Sequence, residues 1–138
     1  MQQELKLTFN DLEVFSYLRS GIGSYLSDFI PADPIFVEIA FNEAVNNAIK
    51  HSKNNDDPTV TIKLKAEKGK RLLIRIKDKG KGFAVEDTFA RLDKAYHADV
   101  PSDVLMKESG RGLMIMNQVM DKVVYNQQGN EVLLMKRL

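Results

Sequence analysis

The stretch Glu43-Ala44-Val45-Asn46-Asn47-Ala48-Ile49-Lys50-His51-Ser52 decides how the rest of this chain is read. On a helix, its Glu43, Asn47 and His51 recur at i, i+4 and i+8 and stand one above another. Around them Ile39, Ala40, Phe41, Ala44, Val45, Ala48 and Ile49 are close to continuously apolar, the pattern of a helix with most of its surface buried. A carboxylate, an amide and an imidazole on such a helix need partners, because unpaired buried polar groups cost several kcal/mol. The stripe therefore predicts a pocket. Two glycine clusters downstream, Asp78-Lys79-Gly80-Lys81-Gly82-Phe83 and Gly110-Arg111-Gly112-Leu113, suggest that the pocket holds a nucleotide.

Working outward, Asp33 and Pro34 suit the N-cap and first position of this helix, which the pattern places at about 34–52. Upstream, Leu5, Leu7 and Phe9 alternate with polar residues as in a strand. Asn10 or Asp11 then caps a helix with Leu12, Phe15, Leu18, Ile22, Leu26 and Phe29 on its apolar stripe, ended by Pro31 and Pro34. Downstream, Val60, Ile62 and Leu64 share one face of a strand. Glu67-Lys68-Gly69-Lys70 is a hairpin turn, and a second strand runs from Arg71 to Asp78 with Asp78 pointing inward at its end. A long irregular loop follows, then a helix over Gly112–Met120 opened by glycines. A last hairpin, Lys122–Asn126 with Glu131–Leu138, turns around Gln127-Gln128-Gly129-Asn130. Helices grouped on one face of a largely antiparallel sheet make an α+β two-layer sandwich.

The bulk composition removes several classes of function. At 138 residues the chain is expected to form one domain, 1–138, with a core of ordinary size. Lys and Arg number 20 against 19 Asp and Glu, so the net charge of +1 supplies no field that gathers nucleic acid or an anionic membrane. No cysteine is present, which excludes disulfides, zinc-thiolate sites and a cysteine nucleophile. No apolar run approaches the roughly 20 residues of a spanning helix, and the N-terminal residues lack the pattern of a secretory signal. A cytoplasmic location is the expectation.

The three segments each suit one part of a nucleotide. An inward carboxylate at Asp78 needs donors, and an exocyclic amine such as that of adenine is one; the plainer reading is a polar turn capped by Asp78. Gly80 and Gly82 let backbone approach a flat ring. Gly110, Arg111 and Gly112 at a helix start offer free N–H groups and the positive dipole end to phosphates, without the lysine and hydroxyl of a P-loop. Asn47 has an amide oxygen suited to a magnesium ion that bridges phosphates, and Glu43 can take a proton from an attacking hydroxyl. His51 reads as a structural group near the helix end rather than a catalyst.

In this order and spacing the segments resemble the N, G1 and G2 boxes of the GHKL ATPase superfamily. The form Glu43-Ala44-x-x-Asn47-Ala48-x-x-His51 is most similar to the bacterial anti-sigma factor serine kinases. The resemblance implies the Bergerat fold, a mostly antiparallel mixed sheet with helices on one face. It implies that Asn47 binds Mg²⁺ and Glu43 is the general base. Asp78 would read the adenine amine within a wall made by Gly80, Gly82 and Phe83, with Ala48 and His51 also lining the nucleotide. Gly110, Arg111, Gly112 and Leu113 would cradle phosphates and hold a lid over roughly 84–110. The implied activity is ATP- and Mg²⁺-dependent phosphorylation of a serine or threonine on a STAS-domain anti-anti-sigma protein. Many members also sequester a sigma factor, and homodimers through the first strand and helix are typical. The alternative is an ATP-binding sequestering module with little or no catalysis. Two departures stand out: Glu108, beside Lys107, replaces an arginine that often precedes the third box, and Asn130 and Glu131 follow Gly129 where threonine is common.

Overall fold

The computed structural model describes residues 2–30, 34–52, 56–81 and 108–138. In chain order these form β1 (Gln2–Phe9), α1 (Leu12–Phe29), α2 (Pro34–Ser52), β2 (Val60–Glu67), β3 (Arg71–Asp78), α3 (Glu108–Val119), β4 (Lys122–Tyr125) and β5 (Glu131–Arg137). The five strands make one sheet in the order β1-β2-β3-β5-β4. This is the expected α+β sandwich. All four pairings among the described residues are antiparallel. The parallel component of a mixed sheet is absent there, because the second strand of the last hairpin, not the first, takes the place beside β3.

Local sequence explains the boundaries. Asp11 caps α1 by accepting the Val14 N–H at 2.8 Å. Gly69 closes the β2–β3 hairpin at φ +77°, a left-handed conformation that costs a residue with a Cβ roughly 1–2 kcal/mol. Alternation then sorts the sheet: Val60, Ile62, Leu64 and Ala66 of β2 and Leu72, Ile74 and Ile76 of β3 are all buried on one face. The helices cover that face, with α2 in the middle, packed against α1, α3 and β3.

Phe15 joins the layers. It is fully buried, stacked on Phe9 of β1 at 5.4 Å and tilted against Phe41 of α2 at 6.1 Å. The near-continuous apolarity of α2 exceeds what is covered. Val37, Ala40, Phe41, Ala44, Val45 and Ala48 are buried, whereas Ile39, Ile35 and Phe36 remain exposed. A helix lying on a sheet between two neighbours still turns one strip outward.

Phe15→Ala is expected to lower stability by about 3–5 kcal/mol, the cost of a large aromatic cavity. Tyr17→Ala, two residues along but 79% exposed, is expected to change it by less than ~0.5 kcal/mol. Denaturant unfolding of the two variants checks the pair.

Candidate nucleotide site

The C-terminal half of α2, the end of β3 and the β4–β5 hairpin enclose a cleft of about 210 Å³ that opens to solvent. Its walls include Asn47, Ala48 and His51 from α2, Asp78 from β3, Tyr125 from β4 and Asn130 from the hairpin, over an apolar floor of Ala44, Ile76 and Val132. The cleft is shallow and open on one side.

Asp78 is 3% exposed, as its inward parity predicts. It pairs with Val60 across the hairpin, so its side chain shares the core face. One carboxylate oxygen accepts the Gly80 N–H at 2.7 Å. Burial pushes the carboxyl above the usual aspartate range, and the Gly80 hydrogen bond partly opposes that shift. An ionised carboxylate here accepts only, so it selects a ligand edge that donates.

Packing within the fold requires glycine at position 80. A Cβ at this position would collide with the backbone carbonyl of His51 and come within 2.9 Å of Asp78 Oδ1. The close approach is to the last turn of α2. On the other side, the Asp78 N–H donates to the Asn130 carbonyl at 2.9 Å. The Asn130 amide donates to the Gly80 carbonyl at 3.4 Å and accepts from Asn126 at 2.6 Å. Asn126 Oδ1 in turn gathers the N–H groups of Gly129, Asn130 and Glu131. The residue found where threonine is common therefore pins the hairpin to the end of β3. At the approach to β2, Lys79 reaches Asp57 at 2.6 Å. The hydrogen bonds from Lys79 and Thr59 pull the Asp57 carboxyl down to about 2.

His51 is half-buried, and burial followed by the neighbouring Lys50 charge lowers its pKa, which favours neutral imidazole at neutral pH. Tyr125 was not singled out from sequence. Its phenol is raised well above the ordinary value, first by burial and then by the Asp78 charge, while a hydrogen bond from the Asn47 amide acts the other way. The signal was present: Tyr125 shares strand parity with Val123, and a buried tyrosine hydroxyl needs a partner.

The other expected site residues are placed unevenly. Asn47, Ala48, His51 and Asp78 meet at one cleft. Glu43 lies half-buried one turn before Asn47, outside the cleft lining. The third glycine cluster does not open its helix at Gly112, because α3 already begins at Glu108, placing Gly110 and Arg111 in the first turn. Leu113 is 2% exposed and belongs to the core, so its side chain anchors α3 and leaves only backbone for a ligand. Gly82, Phe83 and residues 84–107 lie outside the described residues, as does the side chain of Arg111. Among the described residues no three of His, Asp or Glu cluster closely enough to cage a metal. The neutral amide oxygen of Asn47 suits a magnesium ion that draws its remaining ligands from water and phosphates.

Comparison with known proteins agrees with this architecture. The profile of the histidine kinase-like ATPase domain matches residues 17–136. An anti-sigma F factor from Geobacillus sp. (strain WCH70) is 30% identical over 135 residues, 95% of this chain and 88% of that protein. The serine-protein kinase RsbW of Staphylococcus aureus (strain JH9) is 37% identical over 95 residues, 67% of this chain and 58% of that protein. The chain belongs to the histidine kinase-like ATPase domain family. Its relatives include proteins named as anti-sigma factors and serine-protein kinases.

Asp78→Asn is expected to act in opposite directions on stability and binding. It removes a buried charge while keeping an acceptor for Gly80, so the apo Tm should rise by roughly 2–4 °C. ATP affinity measured by calorimetry should fall about tenfold to a hundredfold, since one amide end donates. The parent protein should lose affinity as pH falls through the raised Asp78 range, above its ordinary 3.8, and the Asn variant should not show that slope.

Proposed function

We propose that this protein is an ATP-dependent serine/threonine kinase of the anti-sigma kind. Its acceptor is a hydroxyl on a STAS-domain anti-anti-sigma protein, and it also binds a sigma factor. One observation carries the reading: a single face of α2 presents Glu43, Asn47 and His51 in succession beside a cleft whose facing strand ends in the buried Asp78 carboxylate. The names of the relatives favour the same activity.

In this mechanism Asp78 accepts the amine of adenine, and the apolar floor excludes water from the ring. Asn47 would hold Mg²⁺, which when bound neutralises phosphate charge. The first turn of α3, which contains Gly110 and Arg111, offers its unpaired N–H groups and the positive end of the helix dipole to the phosphates. Glu43 takes the proton of the acceptor hydroxyl as it attacks. Most of the rate gain comes from positioning and from fixed dipoles.

Assembly follows the same reading. Strand β1 lies at the sheet edge, and α1 exposes Tyr17 and Val14, which favours a homodimer through the first strand and helix. No described helix is long and apolar enough to cross a membrane, and the proposed setting is the cytoplasm.

Labelled ATP and candidate STAS proteins test the activity. Glu43→Ala is expected to reduce phosphotransfer at least about a hundredfold, with ATP affinity changed less than about threefold because the side chain does not line the cleft. Transfer at the parent rate would sink the base assignment.

A further inference from the structure

Two asparagines of the β4–β5 turn are linked side chain to side chain, and backbone groups fix the polarity of that link from both ends. Asn126 Oδ1 accepts the N–H groups of Gly129, Asn130 and Glu131 at 2.8, 3.0 and 3.2 Å. A backbone N–H only donates, so the Asn126 oxygen faces the turn and its nitrogen faces Asn130. That nitrogen donates to Asn130 Oδ1 at 2.6 Å. The far end of the Asn130 amide is then its nitrogen. It meets the Gly80 carbonyl, which only accepts, at 3.4 Å. Turning either amide over would set like groups against each other at more than one contact.

The relay ends at Asp78. Asn130 holds the end of β3 with both of its polar groups: its carbonyl accepts the Asp78 N–H at 2.9 Å, and its side chain reaches the Gly80 carbonyl. Gly80 in turn donates its own N–H to Asp78 Oδ1 at 2.7 Å. The direction of that carboxylate therefore depends on how Gly80 is held, and Asn130 holds it. Asn130 lines the cleft together with Asp78, whereas Asn126 is exposed and lies outside the lining.

We propose that Asn126 is a positioning residue for base selection: through Asn130 and Gly80 it aims the Asp78 carboxylate at the exocyclic amine of adenine. The proposal rests on the reading of Asp78 as the acceptor of that amine. It gives Asn126 no contact with the nucleotide and no part in phosphoryl transfer. Preference for an aminopurine then depends on a hairpin turn that the base does not touch at position 126.

The test compares ATP with purine riboside triphosphate, which differs from ATP only in lacking the exocyclic amine. Calorimetry gives the affinity of the full chain for each, and the ratio of the two reports the amine contact. Asn126→Asp keeps an acceptor for the three backbone N–H groups but loses the donor to Asn130, so the Asn130 amide turns its nitrogen away from Gly80. This variant is expected to lower the ratio about threefold to tenfold, the worth of one ordinary hydrogen bond. Its affinity for purine riboside triphosphate should stay within about twofold of the parent. Asn130→Ala removes the bond to Gly80 and leaves the turn's bonds to Asn126 in place. It should lower the ratio to the same degree, and Asn126→Asp added to it should change nothing further. Equal losses for the two nucleotides would mark a merely structural turn and overturn the proposal, as would a parent-like ratio in either variant. Asp78→Asn should bring the ratio close to one. A ratio that Asp78→Asn leaves intact, or a parent ratio already near one, would instead overturn the reading of Asp78, and the proposal with it.

Discussion

The site depends on how closely the end of β3 runs against the last turn of α2. Gly80 sits where any Cβ would strike the His51 carbonyl, and that contact places a strand end within reach of a helix face. The consequences follow in order. The Asp78 side chain, two residues earlier, is driven into the layer between sheet and helix and loses water. The polar stripe of α2, otherwise a row of costly groups on a packed helix, gains a cleft to face. The β4–β5 hairpin then closes the third side, because Asn130 bonds to both Asp78 and Gly80. A larger residue at position 80 would push the strand off the helix and open all three walls together.

Much of this was legible in the sequence, and the reasons are specific. Helix α2 begins and ends where Pro34 and the polar run after Ser52 place it, and Gly69 marks the first hairpin without ambiguity. Both are cases where a backbone constraint and the apolar period agree. The start of α3 was misplaced because two glycines inside a helix read as its opening. Each glycine costs roughly 1 kcal/mol there, and burial of Leu113 and Met116 against the core outweighs that. In β4, a strand of four residues, the parity shared with Val123 points Tyr125 inward, but that its phenol reaches the cleft beside α2 is a tertiary fact. Gly80 reads from sequence as a point of close approach to a ring, and the His51 carbonyl that a Cβ there would strike is a tertiary contact that no local pattern records.

The electrostatics of the cleft extend the argument from shape to charge. Burial acts on both titratable walls in the direction of neutrality, raising Asp78 and lowering His51. For His51, burial favours the neutral imidazole, which adds no charge to the cleft wall. For Asp78 neutrality would be ruinous, because a protonated carboxyl no longer offers two acceptor oxygens. What opposes burial is one hydrogen bond, the Gly80 N–H at 2.7 Å. Glycine at position 80 thus serves twice. Its missing side chain lets the strand reach the helix, and its backbone donor, aimed back by the same tight turn, favours the ionised carboxyl against the effect of burial. Burying such a group makes the fold less stable than its packing allows, and under the proposed function a donating ligand would recover the deficit.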